Sequence, residues 1–484
     1  MKNLLNQKSF IGRKAELAKL KALYDRKTSC LAVIKGRRRV GKSRLLSEFF
    51  LQNSSGRFFS FSGLSPQNGV SAQAQRDHFG RQLSNHLQIP PVTFLDWTDA
   101  LNHLAHHILE SDIILFDEIS WMAFDDATFV PKLKVWWDTI LSQKPHLVLV
   151  FCGSVSRWIE KNILSSTAFF GRVSLTLTIE PFSINESNQF ITDLGFKGSP
   201  IERYRLLSIL GGIPWYLEQI NPKKMADANI SDLCFQKDGL LVLEFDRIFH
   251  DLFNGKGATY KKILESLKDG MKSLKDIRGE IQFSHSGSLS EMMQNLIISG
   301  FVKMHRLWSL KTENPLKQSL YRICDPYLRF YLKNIEPNRF KIEQGFFDDL
   351  DLAQVPGFDV HMGLQVESLL LQNRQLLLKS IGIVPSECSF DGPYRQVKTL
   401  RTKGCQVDYL VQTRTNNLFL CEFKFKRREL GIEIIEEVQE RMARLSIPRG
   451  LAIVPVLFHI GGVSESVIDK QYFYRIIDIS DFLD

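Results

Sequence analysis

The chain lacks the features that would make it secreted, metal-clipped or membrane-bound. Its 484 residues hold only seven cysteines, none in a C-x-x-C pair, and Cys30, Cys152 and Cys421 sit inside apolar stretches. That excludes a disulfide framework and a cysteine zinc site, and points to reduced thiols in a cytoplasmic protein. No apolar run approaches the roughly 20 residues that cross a bilayer, and Met1-Lys2-Asn3-Leu4-Leu5 leads into polar sequence instead of a signal-peptide core. Short-period repeats and low-complexity segments are missing as well. Nor is there a strong charge excess: 62 basic against 53 acidic residues give +9, which permits a polyanionic partner without demanding one. What is there is 44% hydrophobic and 24% charged residues, the balance of a soluble globular chain long enough for about two to four domains.

The strongest positive signal is Gly36-Arg37-Arg38-Arg39-Val40-Gly41-Lys42-Ser43, which fits G-x-x-x-x-G-K-[ST]. The apolar run Cys30-Leu31-Ala32-Val33-Ile34 precedes it as a buried strand would, and Arg44-Leu45-Leu46-Ser47-Glu48-Phe49-Phe50 continues as a helix. Gly36 and Gly41 let the backbone turn its N–H groups onto the β- and γ-phosphates of ATP. Lys42 brings a point charge to the same oxygens, Ser43 offers a hydroxyl to Mg²⁺, and the helix N-terminus adds its dipole. Residues Gly36 to Arg44 are therefore expected to form a nucleotide-binding loop.

Further motifs carry a resemblance. Gly12-Arg13 followed by Glu16-Leu17 resembles the lead-in segment of AAA+ and STAND ATPases, which lies near the adenine base; a plain amphipathic helix is the alternative. Asp112-Ile113-Ile114-Leu115-Phe116-Asp117-Glu118 is an apolar strand ending in two carboxylates and resembles a Walker B motif. In that role Asp117 holds Mg²⁺ through water and Glu118 polarises the attacking water. The run from Leu147 to Cys152 is the next buried strand. A polar residue at its tip is the sensor-1 position of this ATPase class, which selects Ser154, with Ser156 behind it.

Arg172, after Phe169-Phe170-Gly171, is a candidate arginine finger, since a guanidinium stabilises the equatorial oxygens of a loose phosphoryl transition state. A structural ion pair is its alternative role. Gly212-Ile213-Pro214 resembles the G-x-P element of STAND ATPases, whose proline contacts the base, so Pro214 joins the nucleotide set. The sensor-2 arginine common in AAA+ proteins is missing from this stretch.

In this order the motifs resemble the archaeal-type ATPase family, a STAND group also found in bacteria, whose members commonly carry a winged helix and a C-terminal nuclease-like domain. The resemblance covers nearly the whole chain. It implies an α/β fold class: a P-loop NTPase parallel sheet (core 1–185, helical lid 186–250), then a winged helix-turn-helix with linker (251–338) and a restriction-endonuclease-like α/β domain (339–484). Lys272, Lys275, Arg278, Lys303, His305 and Arg306 are phosphate-contact candidates in the winged helix. Its recognition position, 288–298, carries Glu291 and no Arg or Lys, which favours a lid over DNA readout.

The C-terminal signal is Asp408, 14 residues before Glu422 in Glu422-Phe423-Lys424. Period 2 puts Glu422 and Lys424 on one face of a strand. Two carboxylates plus the upstream Glu367 suit Mg²⁺, while Lys424 suits an attacking water and the phosphate charge. This resembles the PD-(D/E)xK nuclease core, with Gln439 at an accessory position. A nuclease fold without activity, or an ordinary charged hairpin, is the alternative. The stretch from Asp391 to Arg428 carries nine Lys/Arg against three Asp/Glu, consistent with a phosphate-backbone footprint around Arg395, Lys398, Arg401 and Lys403.

The function expected from these readings is an Mg²⁺-dependent ATPase whose nucleotide state controls a DNA-binding or DNA-cleaving C-terminal domain. Its expected partners are ATP and DNA, with a protein partner or a homo-oligomer, and no membrane. The alternative is an ATP/ADP switch scaffold that assembles with a protein partner and has an inert C-terminal domain.

Overall fold

Leu31, Ala32, Val33 and Ile34 are wholly buried because β1 (Cys30–Gly36) has a parallel neighbour on each side and both faces of its sheet are covered. The computed structural model describes residues 10–53, 56–66, 69–154, 157–253, 257–283, 286–312, 314–347, 352–396, 398 and 403–484. Ser156 and Arg401, both named above, lie outside them. The chain divides into two units, Met1–Pro181 and Phe182–Asp484.

In the first unit β2 (Phe58–Ser62), β3 (Ile113–Asp117), β4 (Val148–Ser154) and β5 (Val173–Ile179) join β1 in an all-parallel sheet of order β2-β3-β4-β1-β5. Along the chain run α1 (Lys14–Tyr24), α2 (Lys42–Asn53), α3 (Ala72–Leu87), α4 (Trp97–His107) and α5 (Phe129–Thr139). Aromatic rings fill the core, with Phe61 on Phe79 at 4.5 Å and Phe79 on Trp97 at 5.4 Å between centroids. Each ring so buried contributes roughly 1.5–3 kcal/mol. The register sets Gly36 beside Ser154 and Ser62 beside Asp117. The carboxyl ends of β1, β3 and β4 thus share one edge, the edge at which open parallel sheets bind ligands.

The second unit begins with helices that include α6 (Pro200–Leu210), opened by a reciprocal Ser199–Glu202 cap. Next come α7 (Gly257–Leu267), β6 (Lys272–Ser273), α8 (Leu274–Glu280), α9 (Ser286–Ile298) and the hairpin β7 (Val302–Ser309) with β8 (Asn314–Ile323), in a small sheet of order β6-β8-β7. After α10 (Phe358–Gln372) the chain lays down β9 (Cys388–Gln396), β10 (Cys405–Thr413), β11 (Asn417–Phe425), α11 (Glu433–Arg444), β12 (Ala452–Ile460) and β13 (Arg475–Asp478). Their sheet, ordered β13-β12-β11-β10-β9, is antiparallel from β9 to β11 and parallel from β11 to β13.

The boundary expected at 338/339 is crossed by core packing. Trp308 of β7 enters the C-terminal sheet's apolar core: it stacks on Phe390 at 5.6 Å, meets Tyr394 edge-on at 5.2 Å, and its Nε1 donates to Gln412 Oε1 at 3.0 Å. Gln365 of α10 donates to the Ser208 carbonyl of α6 at 3.0 Å. A domain boundary is a stretch that few contacts cross, and helices, hairpin and C-terminal sheet fall within the one compact unit Phe182–Asp484.

Candidate functional site

The loop after β1 owes its shape to two glycines. A Cβ on Gly36 would stand 2.6 Å from the Ile179 carbonyl oxygen, and Gly41 holds φ 94°, where side chains are strained. Arg39 also takes a positive φ, 68°. Lys42 is 6% exposed and folds back over the turn, donating to the carbonyls of Gly36 at 3.1 Å and Arg37 at 3.2 Å. Its charge is thereby fixed at the centre of the loop. Arg37 and Arg39 are half-buried, Arg38 is exposed, Val40 is buried, and Arg44 lies 3.7 Å from Glu48 along α2. Arg13 of the lead-in segment is buried and donates through Nη2 to the Val40 carbonyl at 3.2 Å, which holds that segment against the loop.

The acidic pair comes to the same edge. Ser43 Oγ donates to Asp117 Oδ2 at 2.7 Å, so the hydroxyl and carboxylate that an octahedral Mg²⁺ takes are neighbours. These residues fit that ion, which when bound would neutralise phosphate charge. Glu118 sits in the left-handed region at φ 49°. Its carboxylate accepts from the Ser154 backbone N–H at 3.2 Å and from Ser154 Oγ at 3.1 Å. The strand-tip serine is therefore what positions the carboxylate expected to polarise water.

Arg172 makes a bidentate pair with Asp138 of α5, Nε to Oδ1 at 2.6 Å and Nη2 to Oδ2 at 2.9 Å. In the structure it therefore holds the ion-pair role. The Arg172 hydrogen bonds hold Asp138 down at about 2, against the opposing effect of burial. This lowered carboxyl contributes stability that is present above its usual range and is lost as pH falls through about 2. Arg172→Ala is expected to change ATP turnover less than tenfold and to lower stability only slightly, as exposed pairs contribute little. A loss of ~10³-fold in turnover with ATP affinity kept would instead assign a finger.

Pro214 opens the short helix Pro214–Leu217 in the second unit. Before it, the Phe182 N–H donates to the Gly212 carbonyl at 2.7 Å, and a Cβ on Gly212 would collide with Phe182 backbone at 2.0 Å.

In the C-terminal sheet Asp408 of β10 falls one step beyond the Tyr409–Cys421 pair and so faces Glu422 of β11. Asp408 accepts from the Phe423 N–H at 3.1 Å. Arg441 of α11 lies between the two carboxylates: it is paired with Glu422 and is 3.5 Å from Asp408. Lys424 is 3.2 Å from Glu422 and 2.6 Å from Glu437. Burial first, and Asp408 second, push both Glu422 and Glu367 up to about 7. Burial also raises Asp408, against the pull of Arg441.

Among the described residues no group of three or more His, Cys, Asp or Glu is arranged to hold a metal ion. Glu367, expected with Asp408 and Glu422 to hold a metal, is acted on electrostatically by both of them. Arg441 places positive charge between the two facing carboxylates. Gln439 is exposed, and α11 meets the cluster through Arg441 at the carboxylates and Glu437 at Lys424. A signal existed: Ile434, Val438 and Arg441 share one helical face by the 3.6-residue period, and the first two are buried.

Residues 10–220 match the family model of an ATPase domain predominantly from Archaea. An uncharacterised protein of Methanocaldococcus jannaschii is 25% identical over 346 residues, covering 70% of this chain and 72% of that protein. Among solved structures the chain is similar to the Walker-type ATPase of Pyrococcus abyssi, at 16% identity and a TM-score of 0.47, covering 67% of this chain and 96% of that one. It is also similar to the ORC2 protein of Aeropyrum pernix, at 11% identity and a TM-score of 0.44, covering 70% and 98%. With the loop and sheet geometry above, the stretch matched by the family model reads as an ATPase domain of the P-loop type.

Proposed function

We propose that the chain is an Mg²⁺-dependent ATPase whose nucleotide state governs how its second unit engages nucleic acid. The observation that carries this reading is the convergence of Lys42, Ser43, Asp117, Glu118 and Ser154 at one sheet edge, each held by a named hydrogen bond. In the proposed cycle Lys42 and the loop N–H groups grip the phosphates. Ser43 and Asp117 hold the ion that offsets their charge, and Glu118, steered by Ser154, orients the attacking water. The nucleic-acid half of the reading rests on the basic stretch from Asp391 to Arg428 and on the helix–helix–hairpin order of a winged helix between α7 and β8.

The reading is tested by measuring ATP turnover with and without single- and double-stranded DNA, and DNA affinity with ATP and with ADP. The expected result is a change of at least about fivefold in one of the two, the size of an ordinary coupling free energy. If neither quantity responds, the coupling is absent and the switch-scaffold reading replaces it.

That second reading draws support from the cation pairs around Asp408, Glu422 and Lys424. The charges a metal-dependent nuclease directs at its ion and substrate are, in this chain, directed at Arg441 and Glu437. Cleavage would require those partners to withdraw. Plasmid incubated with Mg²⁺ or Mn²⁺, with and without ATP, is expected to stay intact under the scaffold reading.

A further inference from the structure

Where the β7–β8 hairpin docks on the C-terminal sheet it leaves a cleft of about 400 Å³. One wall is Lys303, Met304, His305 and Arg306 of β7; the other is built around Arg374, Phe390, Asp391 and Pro393. The charges in it are unequal. Asp391, the acidic side chain among its lining residues, is already engaged: Arg374 grips it at 2.7 and 2.6 Å and Tyr409 donates to it at 2.7 Å. Lys303 and Arg306 are exposed, and among the described residues neither makes an ion pair. Behind them lies a third cation, Arg322, buried at 6% exposure. Its Nε donates to His305 at 2.9 Å and its Nη1 to Ser368 at 2.8 Å. Both partners are neutral, because burial, with Arg322 and Lys303 adding to it, pushes His305 down to about 3. Arg322 Nη2 has no partner among the described residues. The lining cations Lys303, Arg306 and Arg374 thus outnumber the cleft's lining carboxylate, Asp391.

An apolar face lies beside those cations: Met304, Pro393 and the half-buried Phe390, whose other side is stacked on Trp308. Cations along one wall and an aromatic ring on the other are the elements by which single strands are held, phosphate to the cation and base to the ring. The cleft's volume is near the lower end of small-ligand pockets, about 300–1,000 Å³. One nucleotide fits such a space, whereas a duplex keeps its bases stacked inside and presents no single base to the ring.

We propose that this cleft takes one nucleotide of a single-stranded nucleic acid, with its phosphates on Lys303 and Arg306 and its base against Phe390. The assignment concerns a site apart from the P-loop and from the carboxylate cluster, and it does not depend on cleavage or on a metal. Its consequence is that the hairpin reads a strand together with the C-terminal sheet, not as an isolated wing on a duplex.

The test is fluorescence anisotropy in EDTA with a labelled 12-nucleotide strand and the matching duplex, at several salt concentrations, for the full chain and for Lys303→Ala with Arg306→Ala. The full chain should prefer the strand. The double variant should bind it at least about tenfold more weakly, with a salt slope shallower by about 1.4, the contribution of two phosphate contacts on single strands. ATP turnover without DNA should be unchanged, which reports that the variant is folded. An unchanged affinity and slope overturns the proposal, as does equal loss on strand and duplex. Complete displacement of the strand by millimolar AMP overturns it in favour of a free nucleotide. Because the assay contains no metal and reads no cleavage, its outcome is independent of the ATP–DNA coupling test.

Discussion

Lys42→Ala abolishes measurable ATP binding in titration calorimetry, whereas Glu118→Gln binds ATP normally and hydrolyses it about 10²–10⁴-fold more slowly. The two effects differ because the two side chains meet different parts of the reaction. Lys42 is a phosphate ligand, its ammonium fixed inside the loop by the carbonyls of Gly36 and Arg37. A hydrogen bond from a charged donor contributes about 1.5–3 kcal/mol, and one ammonium makes more than one of them. Affinity therefore falls by at least about 100-fold. Among the described residues the Glu118 carboxylate is held by Ser154 at the tip of β4. Its amide keeps the shape but takes away the base, and losing a positioned proton acceptor costs about the stated factor in rate with little change in binding. Equal ATP affinity in Lys42→Ala and the unaltered chain would remove the P-loop assignment. Unchanged turnover in Glu118→Gln would move the water-orienting role elsewhere.

The first unit was largely legible because its signals are local. The run Cys30 to Ile34 announces a strand buried on both faces, the two glycines announce the turn, and Asp117-Glu118 ends a second apolar run. That Gly36, Asp117 and Ser154 should share an edge follows once the strands are parallel and in register. What the sequence did not disclose are the partners chosen across long separations. Arg172 reads equally well as a finger or as an ion pair, because nothing near it in sequence marks Asp138, 34 residues earlier. Trp308 falls within the span read as winged helix and linker, yet its indole is matched to Gln412, 104 residues on. No local pattern encodes such pairs; only packing selects them. The same holds for the C-terminal cluster. The spacing of Asp408, Glu422 and Lys424 is right for facing strands, but whether the counter-charge is a metal or a guanidinium depends on which face α11 presents.

Arg441→Ala is the substitution that decides that point, and it should be among the most damaging in the second unit. Glu422 is 2% exposed and faces Asp408 across the sheet. With Arg441 gone, two carboxylates remain buried with only Lys424 beside them, and removing one partner of a buried pair costs about 3–5 kcal/mol. A loss of about 3 kcal/mol is expected, since Arg441 itself is partly exposed. The cost should depend on pH. Glu422 and Glu367 are already pushed up to about 7 by burial and by Asp408, so the folded state binds their protons more tightly than the unfolded chain does. Stability from that source is fully present below the ordinary carboxylate range and is lost as pH rises through about 7. Denaturant unfolding at pH 6 should therefore show a smaller deficit for Arg441→Ala than at pH 8, where both carboxylates must ionise beside each other. Glu422→Gln combined with Arg441→Ala should recover most of the difference at pH 8, because the buried charge is gone. With the guanidinium as the counter-charge, added Mn²⁺ is expected to restore nothing. Recovery of stability by Mn²⁺ in the single variant would show that Asp408 and Glu422 bind metal once Arg441 leaves, and would return the cluster to metal-dependent chemistry.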